Sequence, residues 1–336
     1  MNAAQKSPRA RLVSTGRFNP PRVMTNHELE QLVDTSDEWI RSRTGIRERR
    51  IADRATGAAD MAAAAGRVAL ERAGLTPEEL DLILLSTATP DRLLPSTACD
   101  VQALLGARNA GAYDYATACS GFLYGLSMAE AHITAGQARN VLVLCTEKMS
   151  SIIDWTDRAT CVLFGDGAGA AVVQPVEDGG GDGRGILSGF MKSDGTLAEL
   201  LWRPGGGARI PLDLAVLDER SHYVKMAGPE VFKSAVRAMC EAAENALTRA
   251  GVVAADIDLL VPHQANMRII DATARYAGIP SEKVFVNVDR YGNMSSASIP
   301  VALDEAIEQG RVGPGSLVLM VAFGAGFTWA ANVVRL

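Results

Sequence analysis

Apolar residues along the chain follow two alternating patterns, helical spacing and short unbroken runs. Ala69 to Leu84 (ALERAGLTPEELDLIL) and Ala246 to Val261 (ALTRAGVVAADIDLLV) share the frame AL-x-RAG, a polar turn, and an acidic-apolar-Asp-Leu lead into an apolar run. Each predicts helix, loop and buried strand. A second pair, HITAGQARNVLVL (132–144) and AIEQGRVGPGSLVLM (306–320), again predicts a helix, a Gly-containing loop and a buried strand. Continuous Val/Ile/Leu strands between helices imply sheets covered on both faces, so the pattern predicts two duplicated α/β halves, 1–178 and 186–336. The Gly-rich EDGGGDGRG (177–185) is the natural linker between them.

Setting Gly136 against Gly310 and stepping back without gaps brings Cys119 opposite Asn293, each where a strand turns into a helix. After Cys119, the residues Phe122, Leu123, Leu126, Ala129 and Ile133 fall at helical spacing. A thiol at a helix N-terminus faces unpaired N–H groups and the positive end of the dipole, which lower its pKa and favour the thiolate. On this local evidence Cys119 fits a nucleophile and a core thiol equally well. His263 stands just past an apolar run in LLVPHQANMRI, where parallel sheets present ligand-binding groups. Of the four histidines it is the default base, although a lone histidine there also fits a structural role. Gly292-Asn293 alone reads as turn chemistry.

Two glycine-rich segments need separate readings. FGDGAGAAVV (164–173) leads into an apolar strand and lacks the Lys-Ser/Thr of a phosphate loop, so it does not predict a nucleotide site. FGAGFTW (323–329) follows the run LVLMVA with little side-chain obstruction, which suits an oxyanion hole or a structural bend equally.

Composition narrows the classes. At 336 residues, 48% apolar and 21% charged, the chain is ordinary globular protein, long enough for two domains or one large layered fold. A formal charge of −6 argues against a nucleic-acid binder. Five scattered cysteines without a C-x-x-C pair point to reduced thiols and no zinc site. The N-terminal MNAAQKSPRAR has no apolar core of a signal peptide, and no run approaches the ~18 apolar residues needed to span a bilayer. The expectation is a cytoplasmic protein bound to neither membrane nor nucleic acid.

With these residues in view, DEWIRSRTGIRERR, DYATACSGFLYGL, DRATCVLFGDGAGAA, VPHQANMRII, YGNMSSASIP and FGAGFTWAANVVRL, in this order, resemble the β-ketoacyl-acyl-carrier-protein synthase III family of the thiolase superfamily. The resemblance implies an α/β thiolase fold of two related halves in α-β-α-β-α layers, usually a homodimer. It implies a Cys119, His263, Asn293 triad that condenses an acyl-CoA primer with malonyl-ACP, with no metal or redox cofactor. The backbone N–H groups of Cys119 and Ala325 would form the oxyanion hole. Trp39 and Arg43 match residues that hold the CoA adenine, and Arg158 a CoA phosphate contact. Arg268, with Arg275 and Lys233, matches a carrier-protein docking patch. Leu94 and Phe232 fall at the acyl pocket, Leu94 where many members carry an aromatic residue reaching the partner subunit, so primers longer than acetyl are expected. Family members diverted to secondary metabolism, a Cys-His-Asn hydrolase and a non-catalytic CoA binder are the rival readings.

Overall fold

The computed structural model describes residues 9–176 and 183–336. Most of the expected linker, with the boundary at 178, and the first eight residues lie outside the described residues.

The chain forms two sheets of matching topology. In the first, the strands run in the spatial order Ala10–Phe18, Asp166–Pro175, Val141–Lys148, Leu82–Ser86, Gly111–Tyr115. In the second the order is Gly185–Ser193, Thr328–Arg335, Leu317–Gly324, Leu259–Pro262. The pairings correspond: antiparallel, antiparallel, then parallel in each. A parallel bridge from Leu260 to Val284 takes the place of the first sheet's fifth strand.

Five layers result. The Ala58–Ala73 and Thr97–Leu105 helices cover the outer face of the first sheet, and an alanine stripe at 58, 59, 62, 63, 65 and 69 lets the longer one pack close. The helices Gly121–Thr134 and Ser298–Glu308 fill the space between the sheets, burying Phe122, Leu123, Leu126, Val301 and Leu303 against both. The helices Gly228–Ala250 and Met267–Ala277 close the far side. The apolar run Leu317–Gly324 is buried throughout, as expected of a strand covered on both faces.

The predicted duplication therefore holds, but its register changes at the site. Ala118 and Ser295 both take a left-handed backbone, φ 46° and 47°, ahead of short 3₁₀ turns at Ala118–Ser120 and Ser295–Ala297. The turns match with Cys119 opposite Ser296. Asn293 lies three residues earlier, so the ungapped alignment slips there. The helix after the turn runs Gly121–Thr134 in one half and Ser298–Glu308 in the other, three residues shorter, and that difference absorbs the slip.

Candidate active site

Cys119 sits in the turn that enters a central helix, pressed against the end of the central strand of the other half. A Cβ placed on Gly324 would lie 2.6 Å from the Cys119 nitrogen, so only glycine allows this approach. His263 directly follows the strand Leu259–Pro262, its own N–H bonded to the Val321 carbonyl at 2.8 Å. Asn293 is stitched to the first half by two backbone bonds, Asn293 N–H to Leu163 O at 2.8 Å and Gly165 N–H to Asn293 O at 3.0 Å.

These bonds explain the glycine series FGDGAGAA. A Cβ at Gly165 would meet the Tyr291 carbonyl at 2.3 Å, one at Gly167 the Met294 sulfur at 2.5 Å, and one at Gly169 Pro300 at 2.7 Å. The series is a bed for YGNMSSASIP, and it positions Asn293.

Cys119, His263 and Asn293 all line one cavity of about 650 Å³, together with Trp39, Arg43, Phe232, Lys233 and Arg268. Cys119 also lines a smaller cavity of about 120 Å³, whose other walls include Ala88, Met149, Ile152, Phe164, Val224, Ser295 and Ala325. The thiol thus stands where a larger cavity, the channel, meets a smaller apolar chamber. The channel's lining carries the cationic Arg43, Lys233 and Arg268.

The electrostatics differ from the helix-terminus expectation for the thiol. Burial pushes Cys119 up to about 12, with the nearby Glu147 raising it further and the Ser295 hydroxyl, 3.6 Å from Sγ and able to donate to a thiolate, working the other way. The resting nucleophile is therefore a thiol. Burial also takes His263 down to about 3, so its imidazole is neutral at physiological pH. Its Nδ1 is buried without a partner. Asn293 Oδ1 accepts the Ser295 N–H at 2.8 Å. Since a backbone N–H can only donate, the oxygen of that amide must face it, leaving the NH₂ to donate into the cavity.

Ser295 is the functional residue that sequence reasoning missed. It touches the thiol, orients Asn293 and lines the smaller cavity. Nothing in MSSAS distinguishes it from its neighbours; its left-handed φ is visible only in the fold. Glu147, also unforeseen, is fully buried beneath the site and accepts from the Ser296 and Thr89 hydroxyls at 2.7 and 3.0 Å. Burial raises its pKa.

The remaining expected residues fall in three places. Arg158 lays its guanidinium 4.7 Å over the Trp39 ring and donates to the Asp34 carbonyl at 2.8 Å, beside the mouth. Arg268 stands 5.2 Å over the Phe232 ring, so Phe232 belongs to the larger cavity's wall and is not among the residues of the small chamber. Arg275 is exposed on the same helix as Arg268. Leu94 is 86% exposed at a loop tip and lines neither of these cavities of its own chain. Among the described residues no group of three or more His, Cys, Asp and Glu side chains is placed to hold a metal ion, and no helix is long and apolar enough to cross a membrane.

Known proteins resemble this chain in both sequence and fold. Residues 113–195 match the family described as 3-oxoacyl-[acyl-carrier-protein (ACP)] synthase III, and residues 247–336 match its C-terminal counterpart. The beta-ketoacyl-[acyl-carrier-protein] synthase III of Symbiobacterium thermophilum is 52% identical over 96% of this chain and 97% of its own. The crystal structure of 3-oxoacyl-[acyl-carrier-protein] synthase III from Aquifex aeolicus is 50% identical, covers 97% of this chain and 100% of that one, and superposes with a TM-score of 0.89. The priming beta-ketosynthase of the R1128 polyketide biosynthetic pathway, 38% identical with a TM-score of 0.89, covers 99% of this chain and 98% of its own.

Proposed function

The chain belongs to the β-ketoacyl-[acyl-carrier-protein] synthase III family of condensing acyltransferases, and from that membership and the site's geometry we propose that Cys119, His263 and Asn293 join an acyl-CoA primer to malonyl-ACP by decarboxylative condensation. The observation that carries it is the placement of the thiol at the junction of the channel and a smaller apolar chamber, with His263 and Asn293 lining the channel.

In the first step the Cys119 sulfur attacks the thioester carbonyl of the primer, and the acyl group passes to Cys119 while the cleaved CoA leaves with the proton the thiol gave up. The backbone N–H groups of Cys119 and Ala325 stabilise the tetrahedral oxyanion, and the acyl chain occupies the chamber. In the second step malonyl-ACP enters by the same channel. Cleavage of its C–C bond releases CO2, and the electron pair moves onto the thioester carbonyl as an enolate. The Asn293 amide and the His263 Nε2–H hold that oxygen. No acceptor is present at Nδ1, which leaves the proton on Nε2. The carbanion then attacks the acyl-cysteine, the C–S bond breaks, and the released Cys119 thiolate takes a proton from water to return to the thiol. With that proton both steps balance without a metal or redox group.

Trp39, Arg43 and Arg158 hold the CoA nucleotide at the mouth, with flat indole and guanidinium surfaces suited to stacking an adenine. Arg268, Lys233 and Arg275 supply positive charge for an acidic carrier protein. The exposed Leu93 and Leu94 tip is covered in a homodimer, where Leu94 approaches the partner's chamber. The chain works in the cytoplasm, where its substrates and reduced thiols are found. A role in priming fatty acid synthesis is favoured over a polyketide pathway by the 52% and 50% identities against 38%.

Incubation with acetyl-CoA followed by intact mass tests the first step, and CO2 release from malonyl-ACP the second. A persistent acyl adduct lost in Cys119→Ala, with CO2 and β-ketoacyl-ACP formed together, is expected. Rapid turnover to free acid would mean a hydrolase, and CoA binding with no adduct would mean a non-catalytic binder.

A further inference from the structure

The small chamber has one wall that does not belong to the catalytic framework. Leu201, Trp202, Arg203 and Val224 line it, and they are the two ends of an excursion of the chain between the paired residues Trp202 and Lys225. The excursion is closed at its base by Arg203 Nε donating to the His222 carbonyl at 2.6 Å and the Gly205 N–H to Ser221 O at 2.8 Å. Beyond the base it buries little. Ile210, Leu212, Leu214 and Leu217 are exposed, and Val216 is the hydrophobic residue of this stretch that is buried.

A segment with so few buried contacts has low local stability and needs a specific tie. The tie is Arg220, whose Nε and Nη2 donate to the two Asp154 oxygens at 2.6 and 2.5 Å. Among the described residues this is the ion pair that joins residues 203–224 to the rest of the chain. Its features mark it as built. Asp154 is 3% exposed and also accepts the Thr156 N–H and hydroxyl, so its carboxylate is locked in place. Arg220 holds a left-handed backbone, φ 55°, unfavourable for a residue with a Cβ and maintained only by its surroundings. Its guanidinium also lies 5.2 Å over the Tyr223 ring.

The far side of the clasp connects to the chamber directly. Asp154 stands two residues after Ile152, which lines the chamber, and the Ile152 carbonyl accepts the N–H of Val224, a lining residue at the end of the excursion. We propose that Arg220 is a positioning residue that sets the chamber's depth, clasping the 203–224 wall onto Asp154 and so limiting the length of acyl chain that Cys119 can carry. Closed, the chamber of about 120 Å³ holds a short straight or branched acyl group, a few times the ~30 Å³ share of one water. Released, the wall moves outward and longer chains gain.

This inference rests on the proposed condensing activity, and two independent measurements separate it from that reading. Steady-state kcat/KM is measured over a primer series from acetyl-CoA to octanoyl-CoA for the wild type, Arg220→Ala, Arg220→Lys and the double variant Arg220→Ala with Asp154→Asn. The double variant removes the uncompensated carboxylate that could unfold the single one. The octanoyl-to-acetyl ratio is expected to rise roughly tenfold in Arg220→Ala and in the double variant, between one and two methylenes at about fourfold each, with Arg220→Lys in between because an ammonium cannot bond bidentately. A uniform fall across all primers with an unchanged ratio would reduce Arg220 to a structural role and overturn the proposal. Amide hydrogen exchange over 203–219 is the second measurement, expected to quicken in Arg220→Ala while the two sheets keep their protection. If no acyl-CoA supports CO2 release even in the wild type, the condensing reading fails, and the exchange result alone decides the clasp: unchanged protection sinks it.

Discussion

In the proposed condensation Asn293 and His263 serve as donors, and each owes that state to a different cause. The amide is oriented by a single neighbour, the Ser295 N–H. Replacing it by aspartate keeps the shape and turns the cavity-facing donor into an acceptor that repels an enolate. Asn293→Asp should lower malonyl-ACP decarboxylation roughly a hundred- to a thousand-fold, the cost of losing one oxyanion donor, while acylation of Cys119 seen by intact mass persists. The imidazole is neutral because it is buried, and this leaves a trace in stability. With the folded pKa lowered from 6.5 to about 3, the unfolded chain binds one more proton between these values. Stability is full above about pH 6.5 and falls as pH drops toward 3, by up to about 1.4 kcal/mol per unit from this group. Denaturant titrations of the wild type and His263→Asn across that window should show the acid-side slope shrinking in the variant.

At the scale of elements, the site is a place where two chain turns are pressed together with no room for side chains. Gly324 ends a central strand against the Cys119 backbone, and a methyl group there would meet backbone nitrogen and not a yielding side-chain end. Gly324→Ala should cost about 1–3 kcal/mol by overpacking, visible as a lower midpoint in urea. Because the strain falls on the nucleophile's own turn, acylation should slow more than tenfold, about the effect of a small misplacement of a reacting group. An unaltered acylation rate in a destabilised protein would show that the turn absorbs the push elsewhere. The same crowding gives the glycines of FGDGAGAA a packing reason: their open faces receive the segment that carries Asn293.

For the whole molecule, the formal charge of −6 and the basic mouth at Arg43, Lys233 and Arg268 are compatible because the positive charges are gathered where the substrates arrive. The loop 88–99 lines no part of that mouth. Arg92 is held by Asp100 at 2.7 Å, while Leu93 and Leu94 are 83% and 86% exposed. In a homodimer this tip would close the neighbour's chamber. Leu94→Phe adds ring volume there and should move primer preference toward acetyl, by about 0.8 kcal/mol for each methylene displaced, read as ratios of kcat/KM across the series. An unmoved ranking would place the chamber's end within one chain.

The sequence by itself determined the element types and the duplication, and it put forward the three side chains proposed to react. Apolar periodicity and runs record burial, and burial on both faces of two sheets is what the fold delivers. Cys119, His263 and Asn293 were legible as candidates because each stands at the end of an apolar run or the start of an amphipathic one, with the family's motifs around them. The register between the halves was not legible, since a helix three residues shorter leaves no mark in an ungapped comparison. Nor was the thiol's protonation state. A helix terminus is written in local sequence, but desolvation depends on the atoms brought around it from both halves. Ser295, Glu147, Gly324 and the Asp154–Arg220 pair each depend on a neighbour 66 or more positions away. Distances of that kind are created when the chain packs, and only the tertiary structure decides them.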